Sequence, residues 1–380
     1  MTEVSATATD AANTTETVQR LAERWIRDGA AAGQDPGGTG TGTDFVCSPA
    51  GLWLALAAVA AGARGATAAE LRALLGTADR EAAPAVTAVA RALAGTGALG
   101  VATRVWSRVP VFPAYQEALP DVRFDPMEPA AVDAWVREAT GGLIERLPLE
   151  LTDATLLALV NVLALKARWE DPFEATRTRN LLFTDAAGAV GPVPTMIKDV
   201  PSADAWTVDG TYVVELRCER EPGGRPGARV RLVLGEPGAG AARVLPVGWA
   251  PRGAGAPLDA DRVTIGLPRL GLRTRVPVTD HLPALGVRLA ASDAADFSGL
   301  SPERLAISAV VQEAVLKIAE EGVEAAAVTV VPMRPGAAPR QERVRHIVFD
   351  RPFGVVVLAG TEDTPLFTAW QAEAPAAPNA

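Results

Sequence analysis

The sequence has few of the residues on which most recognisable sites depend. Its 380 residues include two cysteines, two histidines and three lysines, and the formal net charge is −9. Two cysteines exclude a disulfide framework; Cys47 and Cys218 could form one bridge, but we interpret them as two buried thiols. An acidic chain without a basic stripe also offers no surface for a nucleic-acid backbone or an anionic membrane. We therefore expect no nucleic-acid partner and no membrane partner.

Long apolar runs are also missing. The longest helix-like run covers residues 52–63, which is shorter than the ~18 to 20 residues that a membrane span requires. Residues 1–20 are polar and acidic, without the basic start and apolar stretch of a secretory signal. These two features predict no transmembrane helix and a cytoplasmic protein.

Catalytic motifs are absent as well. The sequence contains no G-x-S-x-G elbow, no P-loop, no H-E-x-x-H and no paired C-x-x-C. His281 follows Thr279-Asp280 at a predicted helix start and His346 leads into a strand, so we interpret both as solvated or capping residues. We expect no catalytic residue, no metal and no cofactor. The sequence favours a binding or inhibitory protein over an enzyme, and a serine hydrolase, whose triad is defined by geometry, is the most distant alternative.

Helix and strand signals are mixed along the chain. Helices are predicted over residues 15–27 and from Ser48-Pro49 to about Gly62, and a capping box of Thr67 and Glu70 predicts a short helix that ends at Gly76. Further helices are predicted over residues 132–147, 277–285 and 302–305. Strands are predicted over residues 156–165, 212–216, 230–234, 263–267, 347–349 and 355–358, the first of them buried on both faces. Because no regular β-α-β rhythm is visible, we predict an α+β fold.

The most informative segment begins at Glu320. Gly322 and the β-branched residues 328–331 oppose a helix there, despite three alanines. In an extended chain the odd-numbered residues are all small or apolar, and they are Val323, Ala325, Ala327, Thr329, Val331 and Met333. This alternation predicts a strand with one buried side. Residues 332–340 follow with proline- and glycine-rich loop chemistry that is accessible to a protease.

Short motifs run in order from about residue 15 to residue 373. They are S-P at 48–49, G-A-R-G at 62–65, N-x-x-x-x-K-x-x-W-x-x-P-F over 161–173, A-D-F-S at 295–298, E-E-G-V-E-A-A-A-V-T at 320–329, F-D-R-P-F at 349–353 and T-P-L-F at 364–367. In this order and spacing they resemble the serpin family of protease inhibitors, with Val323 where the family has threonine.

The resemblance implies the serpin fold, in which mixed β-sheets are surrounded by helices and an exposed reactive-centre loop lies near the C-terminus. We expect a flexible tail over residues 1–14, a single serpin domain over residues 15–373 with the loop at about 320–345, and a second flexible tail over residues 374–380. The resemblance also implies a monomer. Many members of the family are extracellular, which is the alternative to the cytoplasm.

The resemblance also implies a mechanism. Inhibitory serpins are serine-type endopeptidase inhibitors that act as suicide substrates: the loop is cleaved, the protease is trapped as an acyl-enzyme and the loop inserts into the central sheet. The hinge of that loop would be Glu320, Glu321, Gly322, Val323, Glu324, Ala325, Ala326, Ala327, Val328 and Thr329. A non-inhibitory serpin that acts as a chaperone or carrier is the alternative.

Two further sites follow from the resemblance. The polar cluster where the central sheet opens would comprise Ser48, Gly51, Asn161, Gln312 and Glu313, and Trp169 would mark the breach. Gly51 replaces a serine of the family, and Gln312 replaces a histidine but can still bond to Asn161. Glu313 replaces a lysine and is expected to reverse a charge at the top of the sheet.

The reactive bond is the last prediction from the resemblance. Seventeen residues counted from Glu320 end at Gly336, which gives the bond Gly336-Ala337. A small residue there suits the shallow pocket of an elastase-like or subtilisin-like serine protease. The alternatives are Met333, which lies three residues early, Arg334, which is followed by proline, and Arg340, which lies four residues late.

Overall fold

The helices surround the sheets on several sides. This computed structural model describes residues 2–28, 42–94, 99–139, 142, 145–146, 155–165, 167–220, 224, 226–308, 310–323, 342–359 and 363–375. The α-helices in these ranges are α1 (Thr2–Arg27), α2 (Pro49–Ala60), α3 (Gly65–Leu75), α4 (Ala82–Ala94), α5 (Pro113–Ala118), α6 (Pro129–Ala139), α7 (Ala241–Val244) and α8 (Val278–His281). Within the same ranges, no helix is long and apolar enough to span a membrane.

The strands form three main sheets and one short pair. In pairing order, the seven-stranded sheet contains β1 (Phe45–Cys47), β18 (Pro365–Gln371), β17 (Phe353–Leu358), β10 (Arg229–Leu234), β9 (Thr211–Arg217), β8 (Ala205–Val208) and β11 (Ala256–Pro257). The four-stranded sheet contains β16 (Val344–Val348), β12 (Arg262–Pro268), β7 (Val190–Pro201) and β6 (Arg179–Thr184). The five-stranded sheet, here called the central sheet, contains β13 (Leu270–Pro277), β14 (Val311–Ile318), β4 (Leu157–Leu165), β2 (Leu99–Ser107) and β3 (Arg123–Pro126). The short pair is β15 (Gly322–Val323) with β5 (Ala167–Arg168). This mixture of helices and sheets confirms the α+β prediction.

Helix α2 begins where the sequence predicts. Ser48 is its N-cap and accepts a hydrogen bond from the Gly51 N–H (3.1 Å), and Pro49 occupies the first turn. Its apolar residues surround the helix on all sides and nearly all are buried, as expected for a helix inside a core. It contacts both β4 and β18, so it supports the central sheet from within.

The central sheet has two covered faces. Even-numbered residues of β14, such as Gln312 and Leu316, are buried on the side of the main core. Val315 lies on the opposite side, in a separate cluster with Ala158 of β4 and with Val132 and Val136 of α6. We call these the inner and outer faces, and α6 therefore lies across the outer face over β4 and β14.

Four helix predictions differ from the structure, and one of them, over residues 277–285, is a helix only at Val278–His281. Helix α1 begins at Thr2 and extends over the segment that we expected to be a tail, whose flexibility stays a prediction. Helix α6 ends at Ala139, because Gly142 (φ 86°) donates its N–H to the Arg137 carbonyl and turns the chain. Residues 302–305 form no helix, because the Ser301 hydroxyl accepts the Glu303 N–H (3.1 Å) in a local turn.

The predicted capping box is wrong. Helix α3 begins at Gly65, so Thr67 lies inside it, and its hydroxyl accepts the N–H of Asp296 (2.9 Å). The Glu70 carboxylate accepts three backbone N–H groups of residues 288–290 at 2.7–2.9 Å. Burial raises the pKa of Glu70, but together these three donors lower it by more than burial raises it, so the net pKa is below its usual value. Both side chains therefore hold a distant loop instead of their own helix.

The predictions for the two histidines and the two cysteines fared differently. His281 is buried at the end of α8 and packs edge-on against Trp25 (5.6 Å between ring centroids), so it is not a solvated residue, and its role as a cap stays a prediction. His346 is exposed in β16. Cys47 and Cys218 are free and buried, which confirms the interpretation as thiols, and burial raises the pKa of Cys47 to about 12.

Candidate functional site at the seam of the central sheet

The central sheet has one weakly paired junction. Strands β4 and β14 run parallel, and within the described ranges they share a single pair in register, Val315 with Ala164. By contrast, β4 pairs with β2 at nine positions and β14 pairs with β13 at eight. We call the β4–β14 junction the seam. Opening it would break far fewer ladder hydrogen bonds than opening either neighbouring junction.

A tight turn follows β14 at one end of the seam. The Ala319 N–H donates to the Gly322 carbonyl (2.9 Å) and the Gly322 N–H donates to the Ala319 carbonyl (3.3 Å), with Glu320 and Glu321 between them. This is the pattern of a two-residue hairpin loop. The chain therefore reverses direction immediately after β14.

The reversed chain starts a new strand. Strand β15 pairs antiparallel with β5, Gly322 opposite Arg168 and Val323 opposite Ala167. Because β5 continues the direction of β4, β15 lies where a strand entering the seam would begin. Val323 is fully buried, and a Cβ added at Gly322 would lie 2.1 Å from the Ala167 carbonyl oxygen. Only glycine allows this close approach.

Trp169, the predicted breach residue, holds the turn. Its indole Nε1 donates to the Ala319 carbonyl (3.0 Å) and its N–H donates to the Glu321 carbonyl (3.0 Å). The Phe173 N–H donates to the Glu320 carbonyl (2.8 Å), and the two aromatic rings pack edge to face. The W-x-x-x-F spacing thus places three donors on consecutive carbonyls of one turn.

The Glu320 side chain is anchored beside this turn. Its carboxylate accepts bonds from Arg269, whose Nε lies 2.8 and 2.9 Å from the two oxygens, and from the Thr178 hydroxyl (2.7 Å). Burial raises the pKa of Glu320, but the bonds from Arg269 and Thr178 lower it, and the net pKa is below its usual value. Arg269 and Thr178 were missed from the sequence, since no local pattern indicates that either lies near the hinge.

The predicted sheet-opening cluster is partly assembled. The Gln312 amide accepts the Ser48 N–H (2.9 Å) and donates to the Ser48 carbonyl (2.8 Å), and the Ser48 hydroxyl donates to the Leu366 carbonyl (2.6 Å). Gln312 thus joins β14 to the start of α2 through the Ser48 main chain. The backbone of Asn161 lies in β4, but its side chain is outside the described part, so the Gln312–Asn161 bond stays a prediction.

Of the two remaining predicted members, Gly51 lies beside Ser48, whereas Glu313 lies on the outer face of β14, opposite to Gln312. The Gly51 N–H bonds to the Ser48 hydroxyl, as described for the α2 cap. Glu313 is bound by Arg273 of β13, whose Nε lies 2.6 Å from the carboxylate. It lies near the start of β14, roughly 20 Å along the strand from the turn at ~3.3 Å per residue. The expectation that Glu313 lies at the top of the sheet is therefore wrong, because the hinge is reached only after Ile318.

The rest of the loop is outside the described residues. This applies to the hinge residues from Glu324 to Thr329, to the predicted bond Gly336-Ala337 and to the alternatives Met333, Arg334 and Arg340. The description resumes at residue 342, and β16 then pairs parallel with β12. Both ends of the loop are thus joined to sheets.

The chain matches known proteins over most of its length. The family model Serpin (serine protease inhibitor) matches residues 38–371. Serpin-Z1B of Triticum aestivum is 29% identical over 63% of this chain and 64% of its own length. An alpha-1-antitrypsin-like protein of Tamias sibiricus is 29% identical over 67% of this chain and 60% of its own. The chain thus spans less than two thirds of these two relatives, whereas it covers 91% of Serpin-Z1C of Triticum aestivum at 28% identity.

Solved structures share the fold. Human thyroxine-binding globulin superposes with a TM-score of 0.76 at 20% identity, over 96% of this chain and 99% of its own. Serpin48 of Tenebrio molitor superposes with a TM-score of 0.74 at 23% identity, over 95% and 98%. These likenesses confirm the predicted serpin fold. Because the family model matches residues 38–371 of the 380 residues, the chain belongs to the serpin family.

Proposed function

We propose that the protein inhibits a serine endopeptidase as a suicide substrate, by inserting its cleaved loop into the seam. The observation that carries this proposal is β15, which starts a new strand at the end of the most weakly paired junction of the central sheet. Added strands formed by the reactive loop are the recognised behaviour of inhibitory serpins.

The pairings on the two sides of the seam agree on one register. Continued from β15 along β5 and β4 without a bulge, the pairing brings Ala326 opposite Ala164. Continued from the turn along β14, it brings Ala326 opposite Val315. Val315 and Ala164 are the residues already in register across the seam. In a strand that enters between β4 and β14, Ala326 would therefore pair with Ala164 on one side and with Val315 on the other.

The register also supports the predicted buried side. It brings Thr329 between Asn161 and Gln312, and residues directly opposite each other share a face. Gln312 is buried on the inner face, so Thr329 and the other odd-numbered residues would enter that face. Ala325 and Ala327 add little volume there, which limits overpacking.

Charge supports the same register on the outer face. Continuing the two pairings brings Glu324 opposite Lys166 on one side and opposite Lys317 on the other. These are two of only three lysines in the chain. The one acidic residue of the inserted segment would thus lie between two cations.

The chemistry is acyl transfer that stops midway. The protease serine attacks the Gly336 carbonyl, the peptide bond to Ala337 breaks, and Ala337 leaves with a new amino group while Gly336 forms an ester with the enzyme. Insertion of the strand ending at Gly336 would carry the protease along the sheet before water cleaves the ester. A glycine at this position favours an elastase-like or subtilisin-like protease.

Incubation with subtilisin and with an elastase tests the proposal. We expect an adduct that survives SDS and that does not form with a protease whose serine is changed to alanine. Intact-mass analysis should find a C-terminal fragment beginning at Ala337, and a fragment beginning at Gln341 would overturn both the bond and the protease class. Cleavage without an adduct would instead support a chaperone or carrier, and consumption of an ester by the protein alone would indicate a hydrolase.

A further inference from the structure

An apolar cavity lies at the end of the seam remote from the turn. Its volume is about 40 Å³, counted as the space open to the centre of a water-sized sphere, and it is partly open to solvent. Its lining includes Leu56 and Val59 of α2, Leu157 at the start of β4, and Ser308 and Val310 just before β14. The cavity is thus bounded by the two strands that flank the seam and, beneath them, by the helix that supports the inner face.

The register of the proposed inserted strand leads into this cavity. Continued to the end of β4, it brings Met333 opposite Leu157, and continued past the start of β14 it brings Met333 opposite Ser308. Val331, the preceding odd-numbered residue, comes opposite Val310. These partners, Leu157, Ser308 and Val310, all line the cavity. Odd-numbered residues would face inward, so the Met333 side chain would point towards α2.

The largest inward side chain of the inserted strand comes at the level of the cavity. Met333 is the largest of the inward residues, because the five before it are valine, alanine, alanine, threonine and valine. Higher along the seam, Ala314 and Leu316 are buried in the main core, where a small residue fits. Methionine is flexible and fills irregular apolar spaces well. Pro332 directly before Met333 and Pro335 two residues after it both lack a ladder donor, so the strand would end near this point.

We propose that this cavity is the receptacle for the Met333 side chain when the loop inserts, and that filling it completes the inserted strand. A small apolar molecule of similar shape would compete for the same space and hinder insertion. The inference rests on the proposed function, since it requires that the loop inserts. It adds a specific anchoring position at the far end of the seam.

The test uses the rise in melting temperature when the loop is cut. Wild type, Met333→Leu, Met333→Asp and Ala338→Asp are nicked with subtilisin, and fragment masses establish that the same bond is cut in each. We expect equal rises for wild type and Met333→Leu, because leucine fills the cavity as an apolar side chain. Met333→Asp should lose about half of the rise or more, because its carboxylate would be buried without a partner. Ala338→Asp adds the same charge beyond the inserted strand and should keep the full rise.

A second variant approaches the cavity from the helix. Ala55 of α2 also lines it, and Ala55→Leu would fill part of the space. The intact variant should melt at or above the wild-type temperature, while its rise after nicking should shrink. If nicking raises the melting temperature of Met333→Asp and Ala55→Leu as much as that of wild type, the proposed receptacle is wrong, although insertion itself is still supported. If nicked wild type shows no rise, insertion fails and the receptacle fails with it.

Discussion

At the scale of single residues, the hinge turn depends on one buried charge. The Glu320 carboxylate accepts bonds from Arg269 and Thr178 beside a turn that Trp169 and Phe173 hold through the main chain. Removing one partner of such a group leaves the other buried and unpaired, which costs more than the bond contributes. The turn from which the new strand starts is therefore sensitive to this side chain.

Glu320→Gln should destabilise the protein in a pH-dependent way. At pH 7 we expect the free energy of unfolding to fall by about 1–3 kcal/mol, because charge-assisted bonds are lost. The pKa of Glu320 is lowered in the folded state, so its stabilisation is complete above the unfolded value near ~4.3 and is lost as the pH falls through the folded value. Urea unfolding from pH 7 to pH 3 should thus show the two curves converging in acid. Glu219→Gln, at an exposed position, should match wild type throughout, and a constant difference for Glu320→Gln would contradict this role.

Gly322→Ala should displace the first residues of the new strand. The added Cβ would lie 2.1 Å from the Ala167 carbonyl oxygen and 2.7 Å from the Arg168 Cα, so β15 would have to leave β5. We expect faster hydrogen exchange of the amides in β15 and at Ala319. Gly253→Ala is the matched control, because no atom lies within 4 Å of its added Cβ. Unchanged exchange in Gly322→Ala would show that the pairing tolerates a side chain.

At the scale of elements, short sequence patterns predicted those helix starts and strands that depend on neighbouring residues. Strand β4 follows from an apolar run that only Asn161 interrupts, and the start of α2 follows from Ser48 and Pro49. The capping box failed because Thr67 and Glu70 bond to residues 288–296, more than two hundred positions away. No sequence window contains both partners, so only the folded chain shows this contact.

The candidate site divides in the same way. Alternation along residues 323–333 predicted that the odd-numbered side chains face inward. The register of β15 supports this prediction, because side chains on a strand alternate between its two faces. The partner of Gln312 was not predictable, because an amide can pair with any main chain that the fold brings near. The Ser48 main chain is brought there by the packing of α2 against the central sheet.

Ala325→Arg should convert an inhibitor into a substrate. The register brings Ala325 between Leu165 and Leu316 on the inner face, where a guanidinium would be buried without a partner at a cost of several kcal/mol. Insertion would slow relative to ester hydrolysis, and since ~1.4 kcal/mol is tenfold in rate, we expect at least a tenfold loss of adduct per protein cleaved. Ala338→Arg places the same charge in the loop beyond the inserted strand and should form adduct normally. Undiminished adduct from Ala325→Arg would refute the inward face.

At the scale of the whole molecule, the fold combines a weak seam with covered faces. In the described part of the chain the seam shares one pair in register, α2 packs beneath it, and α6 lies across it on the outer face through Val132, Val136 and Val315. A strand that enters the seam would gain ladder bonds on both sides and would bury its odd-numbered residues. In the uncut chain both ends of the loop are joined to sheets, which would restrain such an insertion. Cleavage removes that restraint.

Cutting the loop near Gly336 should therefore raise the melting temperature. Most nicks lower stability, because they free a segment that the fold had constrained, so the direction of the change is diagnostic. For a domain of this size, each kcal/mol corresponds to about 1–2 °C, so a rise of about 10 °C would require several kcal/mol of new contacts. Differential scanning calorimetry of intact and nicked protein measures the change, with nicked Ala325→Arg as the control that cannot insert fully. If the nicked wild type melts at or below the intact temperature, no strand is added, and the seam is then a feature of packing alone.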